Sequence, residues 1–387
     1  MRIPDTRVEI DLSRIAHNTK MLRKITLPRA RLMAVVKADA YGHGAAAVAG
    51  CAIQYGADTL GVARIREAAA LREAGLTAPI LVFGHTPPEI TEQLIHHELI
   101  QTVFATRDAY AYDRAAGLLG KKLPVHLKID TGMGRLGFCG IASRRDMEGR
   151  RTIQDLLGAI ETIARLPHLV LDGMYTHFAA ADEADKTSAL GQLEYFTTLI
   201  RALEGRAIEI PVKHAANSAA ILDLPQSHLD MVRAGIALYG LYPSDQVNRQ
   251  TVSLLPAMAF KSRIIQVKKV PAGFRVSYGG DYSAPAATSI ATVPVGYADG
   301  LNRRLSSRGV MLVHGRRAPI AGRVCMDLTM LDVGQIPDVA PGDEVVIFGR
   351  QGEAFISADE VAASLNTINY EIVSTIAQRV PRVYQDP

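Results

Sequence analysis

Apolar residues in this chain come in short runs separated by amphipathic stretches, and the two alternate for most of its first two-thirds. Arg31-Leu-Met-Ala-Val-Val36 is a run of the kind that forms a buried strand. Thr59-Leu-Gly-Val62, Pro79-Ile-Leu-Val-Phe83, Gln101-Thr-Val-Phe104 and Pro124-Val-His-Leu-Lys-Ile129 read the same way. Residues 169–175, 208–213 and 231–234 bring the series to eight. Helical spacing occupies the intervals: residues 45–55 ending at Gly56, 64–74 stopped by Gly75, 107–119, 152–166 and 189–203. Pro87-Pro88 opens a helix through Leu94, and a short one follows Asn217. Ahead of the series, Val8-Glu-Ile-Asp11 reads as a strand, with Asp11 or Ser13 capping a helix over 14–24.

Strand–helix alternation of this kind over about 240 residues predicts an α/β fold, a (β/α)8 barrel of the TIM type. A doubly wound open sheet is the rival, but no G-x-G-x-x-G follows the first strand. Beyond Tyr242-Pro243 the pattern changes to β-rich runs parted by Gly, Pro and Asn/Asp turns, with helices near 358–365 and 370–380. The expected division is a barrel over 1–243 and a mainly-β C-terminal domain over 244–387, with residues 1–11 a candidate for pairing with the β domain.

At 387 residues the chain has room for both parts. Its 48% hydrophobic and 21% charged content is that of a globular protein. A net charge of +4 gives no reason to expect nucleic acid or a membrane surface as partner, although a pI of 8.9 allows weak attraction to anions. Cys51, Cys139 and Cys325 form no CxxC pair and leave one over, which argues against a disulfide framework or a metal site and for a reducing compartment. The N-terminus has carboxylates where a signal peptide needs an apolar core, so a cytoplasmic location is expected.

Barrel sites lie at the carboxyl ends of the strands. There the pattern places Lys37 and Tyr41 after the first strand, Lys128 and Arg135 at the fifth, and Thr176-His177 at the sixth. His214-Ala-Ala-Asn217-Ser218 follows the seventh, and Arg233-Ala-Gly235-Ile236 the eighth. Each alone reads most simply as an ordinary surface or hydrogen-bonded residue, whereas five loops converging on one mouth form a candidate binding site. Lys37, held partly out of water, suits attack on a carbonyl to form an imine. Ser218 with the N–H groups of Gly235 and Ile236 suits a phosphate, and the planar fork of Arg135 suits a carboxylate. The set is consistent with an amino acid joined to a phosphorylated aldehyde.

Six motifs in order carry a resemblance to the alanine racemases. They are Lys37-Ala-Asp-Ala-Tyr-Gly-His-Gly44, Leu127-Lys-Ile-Asp-Thr-Gly-Met-Gly-Arg-Leu-Gly137, Met231-Val-Arg-Ala-Gly-Ile236, Ser277-Tyr-Gly-Gly280, Gly296-Tyr-Ala-Asp-Gly300 and Gly322-Arg-Val-Cys-Met-Asp327. The resemblance spans nearly the whole chain, from Val8 to Glu371.

It implies pyridoxal 5'-phosphate held on Lys37, with Tyr41, Ser218, Gly235, Ile236 and Tyr370 at its phosphate. His177 would stack on the ring, with Asn217 beside it and Arg233 at the pyridine nitrogen. Arg135 and the backbone of Met326 would take the carboxylate of alanine, and Lys128 matches a position often carbamylated. Tyr297, Arg303, Arg323, Asp182 and Ile368 would line a narrow corridor. The family works as a homodimer with shared sites, in which Tyr278 and Met326 serve the other copy. Two bases, Lys37 and Tyr278, would flank the substrate carbon, interconverting L- and D-alanine on a pyridoxal phosphate aldimine and supplying D-alanine for peptidoglycan.

A phenol is a weak base near neutral pH, and the resemblance implies support for it through His177 and Arg233. Arginine at the pyridine nitrogen separates this reading from a barrel-fold decarboxylase, which presents a carboxylate there. A broader-specificity small amino-acid racemase stays an alternative, though that group is typically exported. A non-catalytic pyridoxal-phosphate carrier is a single barrel and lacks the β domain, and a barrel with a chance lysine motif does not account for the ordered set.

Overall fold

The computed structural model describes residues 5–139 and 149–386, the side chains of 149–152 excepted. The N-terminal reading made on Met1 to Pro4 lies outside the described residues. Two compact units divide the chain: one comprises Arg14–Ala40 and Ala45–Pro256, the other Met1–Ser13, Tyr41–Gly44 and Ala257–Pro387.

Eight parallel strands build the barrel of the first unit: β1 (Arg31–Val35), β2 (Thr59–Val62), β3 (Ile80–Val82), β4 (Leu99–Val103), β5 (Leu123–Asp130), β6 (Leu169–Tyr175), β7 (Val212–His214) and β8 (Met231–Ala234), with a two-residue strand, Phe138–Cys139, paired to the end of β5. Each pairs with its neighbours in chain order, β8 returns to β1 through Val232↔Leu32, and the ring closes between β4 and β5 through Gln101↔Val125. The barrel expected from the alternating pattern is therefore the barrel observed. A ring removes every exposed strand edge, so runs such as Leu32–Val36 are covered along their whole length. Each fully buried Leu, Ile or Val in them contributes roughly 1.5–3 kcal/mol.

Strand ends differ modestly from the pattern. The seventh strand is only Val212–His214, because Pro211 withholds an N–H from the ladder. Pro88 opens a 3-10 turn, Pro88–Ile90, before the helix Thr91–His96.

The second unit is mainly β. Its larger sheet runs Arg316–Pro319, Val310–Val313, Glu344–Gln351, Met258–Arg263, Arg7–Asp11, Arg382–Gln385. Arg7–Asp11 lies antiparallel to Met258–Arg263 and parallel to Arg382–Gln385. Ala354–Ile356 joins this sheet off the main path, antiparallel to Glu344–Gln351, and a three-stranded sheet of Gln266–Val270, Thr288–Val293 and Thr329–Asp332 and a small hairpin, Arg275–Val276 with Tyr282–Ser283, complete the β structure among the described residues. Ser357 caps the helix Ala358–Leu365 by accepting from the Glu360 N–H, and Asn366 ends it in the left-handed conformation. The closing helix is shorter than its pattern, Asn369–Ser374. No helix among the described residues is long and apolar enough to cross a membrane.

Candidate active site

Lys37 follows β1 directly, one residue past the buried Val36. Burial holds its amine below the ordinary lysine range, the charge of Arg135 adds to that, and Glu67 opposes it. Gly42 and Gly44, which turn the chain toward the next helix, have positive φ, 83° and 92°. The turn starts earlier, however: Ala38, Asp39, Ala40 and Tyr41 are all left-handed, with φ of 51°, 52°, 53° and 52°. For side-chain-bearing residues this costs roughly 1–2 kcal/mol each. Glu67 offsets part of the cost, accepting from the N–H of Ala38 at 2.6 Å, Ala63 at 2.7 Å and Arg64 at 2.9 Å. It thereby ties the loop after β1 to the loop after β2. Asp39 accepts from the Ala45 N–H at 2.8 Å.

Arg233, in β8, is 4% exposed and organises the barrel mouth. Its Nη1 lies 2.9 Å from His214 Nδ1, and its Nη2 donates to the carbonyls of Thr176 and Ala215 at 2.8 and 2.9 Å. Nη2 also lies 3.2 Å from His177 Nδ1. A guanidinium only donates, so both imidazoles accept at Nδ1 and carry their proton on Nε2. Burial, reinforced by the Arg233 charge, holds His177 and His214 well below the ordinary histidine range, so both rings are neutral. Gln192 braces His177, donating to its carbonyl and to Thr131 Oγ1, both at 3.1 Å.

Lys128, in β5, is 5% exposed, and burial with the charges of Arg233 and Arg135 brings its pKa down to about 6. Its Nζ has no hydrogen-bond partner among the described residues and stands 4.8 Å from the ring centroid of Tyr175. Arg135 is exposed on the loop after β5. That loop is folded by Asp130, whose Oδ1 accepts from the N–H groups of Gly132 and Gly134 at 3.0 and 3.1 Å.

After β7, Asn217 caps the helix Ser218–Asp223 by accepting from the Ala220 N–H at 3.0 Å. Ser218 Oγ accepts from Gly235 at 2.9 Å and Ala237 at 3.3 Å, joining the loops after β7 and β8. Ile236 opens the 3-10 turn Ile236–Tyr239, whose first N–H groups have no partner within the turn. The Ser218 hydroxyl, Gly235 and the N–H of Ile236 at the head of the turn form a cradle suited to an anion.

The barrel unit thus brings together Lys37, Lys128, Arg135, His177, Asn217, Ser218, Arg233, Gly235 and Ile236, and also holds Asp182. The remaining candidates belong to the β unit. Tyr41 and Tyr370 adjoin there, ring centroids 6.1 Å apart, and burial pushes the Tyr41 hydroxyl up to about 12. Tyr278 is 69% exposed at the head of the turn Tyr278–Gly280. Ser277 before it has φ 67° and ψ −175°, a conformation almost confined to glycine, and its hydroxyl donates to the Arg323 carbonyl at 2.7 Å. Arg323 pairs with Asp281 at 2.5 Å, and Ile368 is exposed. Tyr297 and Arg303 line a cavity of about 330 Å³.

Met326, also exposed, shares a fixed core with the Tyr297 turn. Tyr297 and Ala298 donate to the carbonyls of Cys325 and Met326, each at 3.0 Å. Arg379 bridges Asp299 at 2.7 Å and Asp327 at 2.6 Å.

Several residues that organise the barrel mouth and the interior beneath it have no prominence in the sequence pattern: Glu67, His126, Asp172, Tyr175 and Gln192. A signal for one was present. His126 and Lys128 alternate with Val125, Leu127 and Ile129, which marks a polar face on a strand buried on both sides.

The model of the family described as alanine racemase, N-terminal domain matches residues 10–243, and that of the C-terminal domain matches 257–384. The chain belongs to the alanine racemase family. The alanine racemase of Desulfosudis oleivorans is 58% identical over 97% of this chain and 95% of its own. That of Carboxydothermus hydrogenoformans is 47% identical over 97% and 98%. Among solved structures, the alanine racemase of Clostridium difficile 630 superposes with a TM-score of 0.92 at 39% identity, covering 100% of this chain and 97% of the other. Membership of the alanine racemase family makes this chain an enzyme of the racemase class, on the barrel and β-domain architecture described above.

Proposed function

We propose that the protein interconverts L- and D-alanine with pyridoxal 5'-phosphate as cofactor, in a homodimer with shared sites. The observation that carries this reading is Arg233, a buried guanidinium at the barrel mouth fixed by two imidazoles and two carbonyls. The residues around it fit the cofactor: an amine of lowered pKa at Lys37, an anion cradle at Ser218, Gly235 and Ile236, and Arg233 for the pyridine nitrogen, where a decarboxylase would present a carboxylate. Tyr41 and Tyr370 are assigned to the phosphate and Asn217 to the ring edge by the family resemblance.

Pyridoxal phosphate, when bound, supplies an electron sink for the pair left when the substrate Cα–H departs. The chain supplies the rest. Lys37 takes or returns the proton on one face, and its lowered pKa keeps a larger share of the amine in the basic form. Tyr278 of a second copy serves the other face. His177, with its proton on Nε2, is a donor suited to steady a phenolate there. Arg135 and the Met326 N–H hold the substrate carboxylate, and Lys128, neutral and buried, is suited to carbamylation, which would give Arg135 a carboxylate to lean on. Tyr297, Arg303, Arg323, Asp182 and Ile368 form the approach that restricts side-chain size. Supply of D-alanine for peptidoglycan is the proposed role, in the cytoplasm.

Incubation with L-alanine, L-serine and L-lysine in deuterated water tests the reading. Deuterium at Cα together with D-alanine supports it, and comparable exchange in lysine points to a broader racemase. Release of carbon dioxide and an amine would overturn it.

A further inference from the structure

Beneath Arg233 the barrel interior holds a chain of polar groups that the proposed reaction does not use. His214 Nε2 lies 3.0 Å from His126 Nδ1, and His126 Nε2 lies 3.3 Å from Asp172 Oδ2. Both imidazoles are fully buried, whereas Asp172 is partly exposed. Barrel interiors are ordinarily filled by Val, Ile and Leu, and an apolar filling of a buried polar cluster is often neutral or stabilising. Stability alone therefore does not account for the cluster.

Its direction follows from the two ends. Arg233 can only donate, so His214 accepts at Nδ1 and donates from Nε2. His126 then accepts at Nδ1 and donates from Nε2 to the carboxylate, which can only accept. Any other arrangement sets two donors, or two acceptors, face to face. Arg233 has no direct ion pair among the described residues, so Asp172 is the negative end of this line.

Two independent features of β6 serve the arrangement. The register between β5 and β6 jumps from Val125↔Leu171 to His126↔Gly173, so Asp172 is an extra, bulged residue. Bulges re-aim side chains and recur beside active sites. Gly173 lies under the imidazole, where an added Cβ would come within 2.5 Å of His126 Cε1.

We propose that Asp172 is a positioning residue: through His126 and His214 it polarises the line of hydrogen bonds and holds Arg233 as an oriented donor toward the cofactor ring. This rests on the assignment of Arg233 to the pyridine nitrogen. The decisive measurement is NMR of the full-length protein, 15N-labelled at histidine, without added cofactor. Two downfield, slowly exchanging imidazole protons, both on Nε2, are expected. Asp172→Ala should lose the His126 proton to exchange and shift the His214 proton upfield, while Asp172→Asn, which keeps an acceptor, should retain both. An Nδ1 proton on either ring in the wild-type protein, or an unmoved His214 proton in Asp172→Ala, would overturn the proposal; the first of these outcomes needs no variant to fold.

Racemisation kinetics add a second readout: kcat falling roughly tenfold in Asp172→Ala, the size of one lost charge-assisted hydrogen bond, with KM little changed and partial recovery in Asp172→Asn. An effect on KM alone counts against positioning. The expected NMR pattern in a protein that fails to racemise any amino acid would sink the racemase reading and leave the relay standing.

Discussion

Lys128 Nζ stands 4.8 Å from the ring centroid of Tyr175, and it has no hydrogen-bond partner among the described residues. An amine so placed, with a pKa of about 6, is largely neutral at pH 7. The unfolded chain, whose lysine titrates near 10.5, holds a proton there that the folded chain lacks. Stability from this group therefore rises with pH between about 6 and 10.5. In buffer free of carbon dioxide, Lys128→Met should flatten that rise and increase Tm at neutral pH. Unfolding curves at several pH values decide it, and a variant with an unchanged pH slope refutes the assignment. With labelled bicarbonate, the wild-type protein should gain a carbamate 13C signal that the variant lacks.

Removing the amine of Lys37 should abolish covalent attachment of pyridoxal phosphate. Lys37→Ala is expected to lose the imine absorbance band and to retain well under a thousandth of the activity, while the fold persists by circular dichroism. An unchanged spectrum with intact turnover would eliminate Lys37 as the anchor.

Tyr278→Phe removes one hydroxyl from an exposed ring at the head of a turn. It should cost about 10²–10⁴-fold in turnover, the usual range for a lost acid–base group, with little loss of cofactor affinity. Mixing this variant with Lys37→Ala should restore activity through hybrid dimers carrying one intact site. Exchange of subunits without recovery would exclude a shared site.

Gly296 sits where a Cβ would come within 2.3 Å of the Met326 carbonyl oxygen and 2.4 Å of that of Cys325. Gly296→Ala should therefore destabilise the β unit by about 1–3 kcal/mol and displace the Met326 loop. Denaturant unfolding together with an increased KM for alanine would bear this out, and wild-type values for both would not.

The barrel was legible in the sequence because each of its strands is a short apolar run between helical patterns, a signal carried by residues close together in the chain. Lys37, Ser218 and Arg233 were legible for the same reason, each falling where a strand runs out. The left-handed turn from Ala38 to Tyr41 was not, since only Asp39 among its residues enters that conformation readily and its support comes from Glu67, far along the chain. The His126–Asp172 contact was hidden by the bulge: strict alternation along β6 gives no sign that Asp172 is an extra residue. The shortened closing helix was not legible either, because Ala377 donates to the Asp299 carbonyl and Arg379 pairs with the Asp299 carboxylate, contacts that only the folded chain reveals.

The eightfold ring has a consequence of its own for how such a site persists. His126 and Lys128 share β5 with Val125, Leu127 and Ile129, so the chemistry of this strand depends on which alternate residues occupy which face. A slip by a single residue would exchange the two sets, as a shifted reading frame exchanges codons. An open sheet could tolerate such a slip at its edge. A strand clamped on both sides by parallel ladders, to β4 and to β6, cannot slide without breaking both. Closure thus works as a proofreading device for the frame in which this site is written.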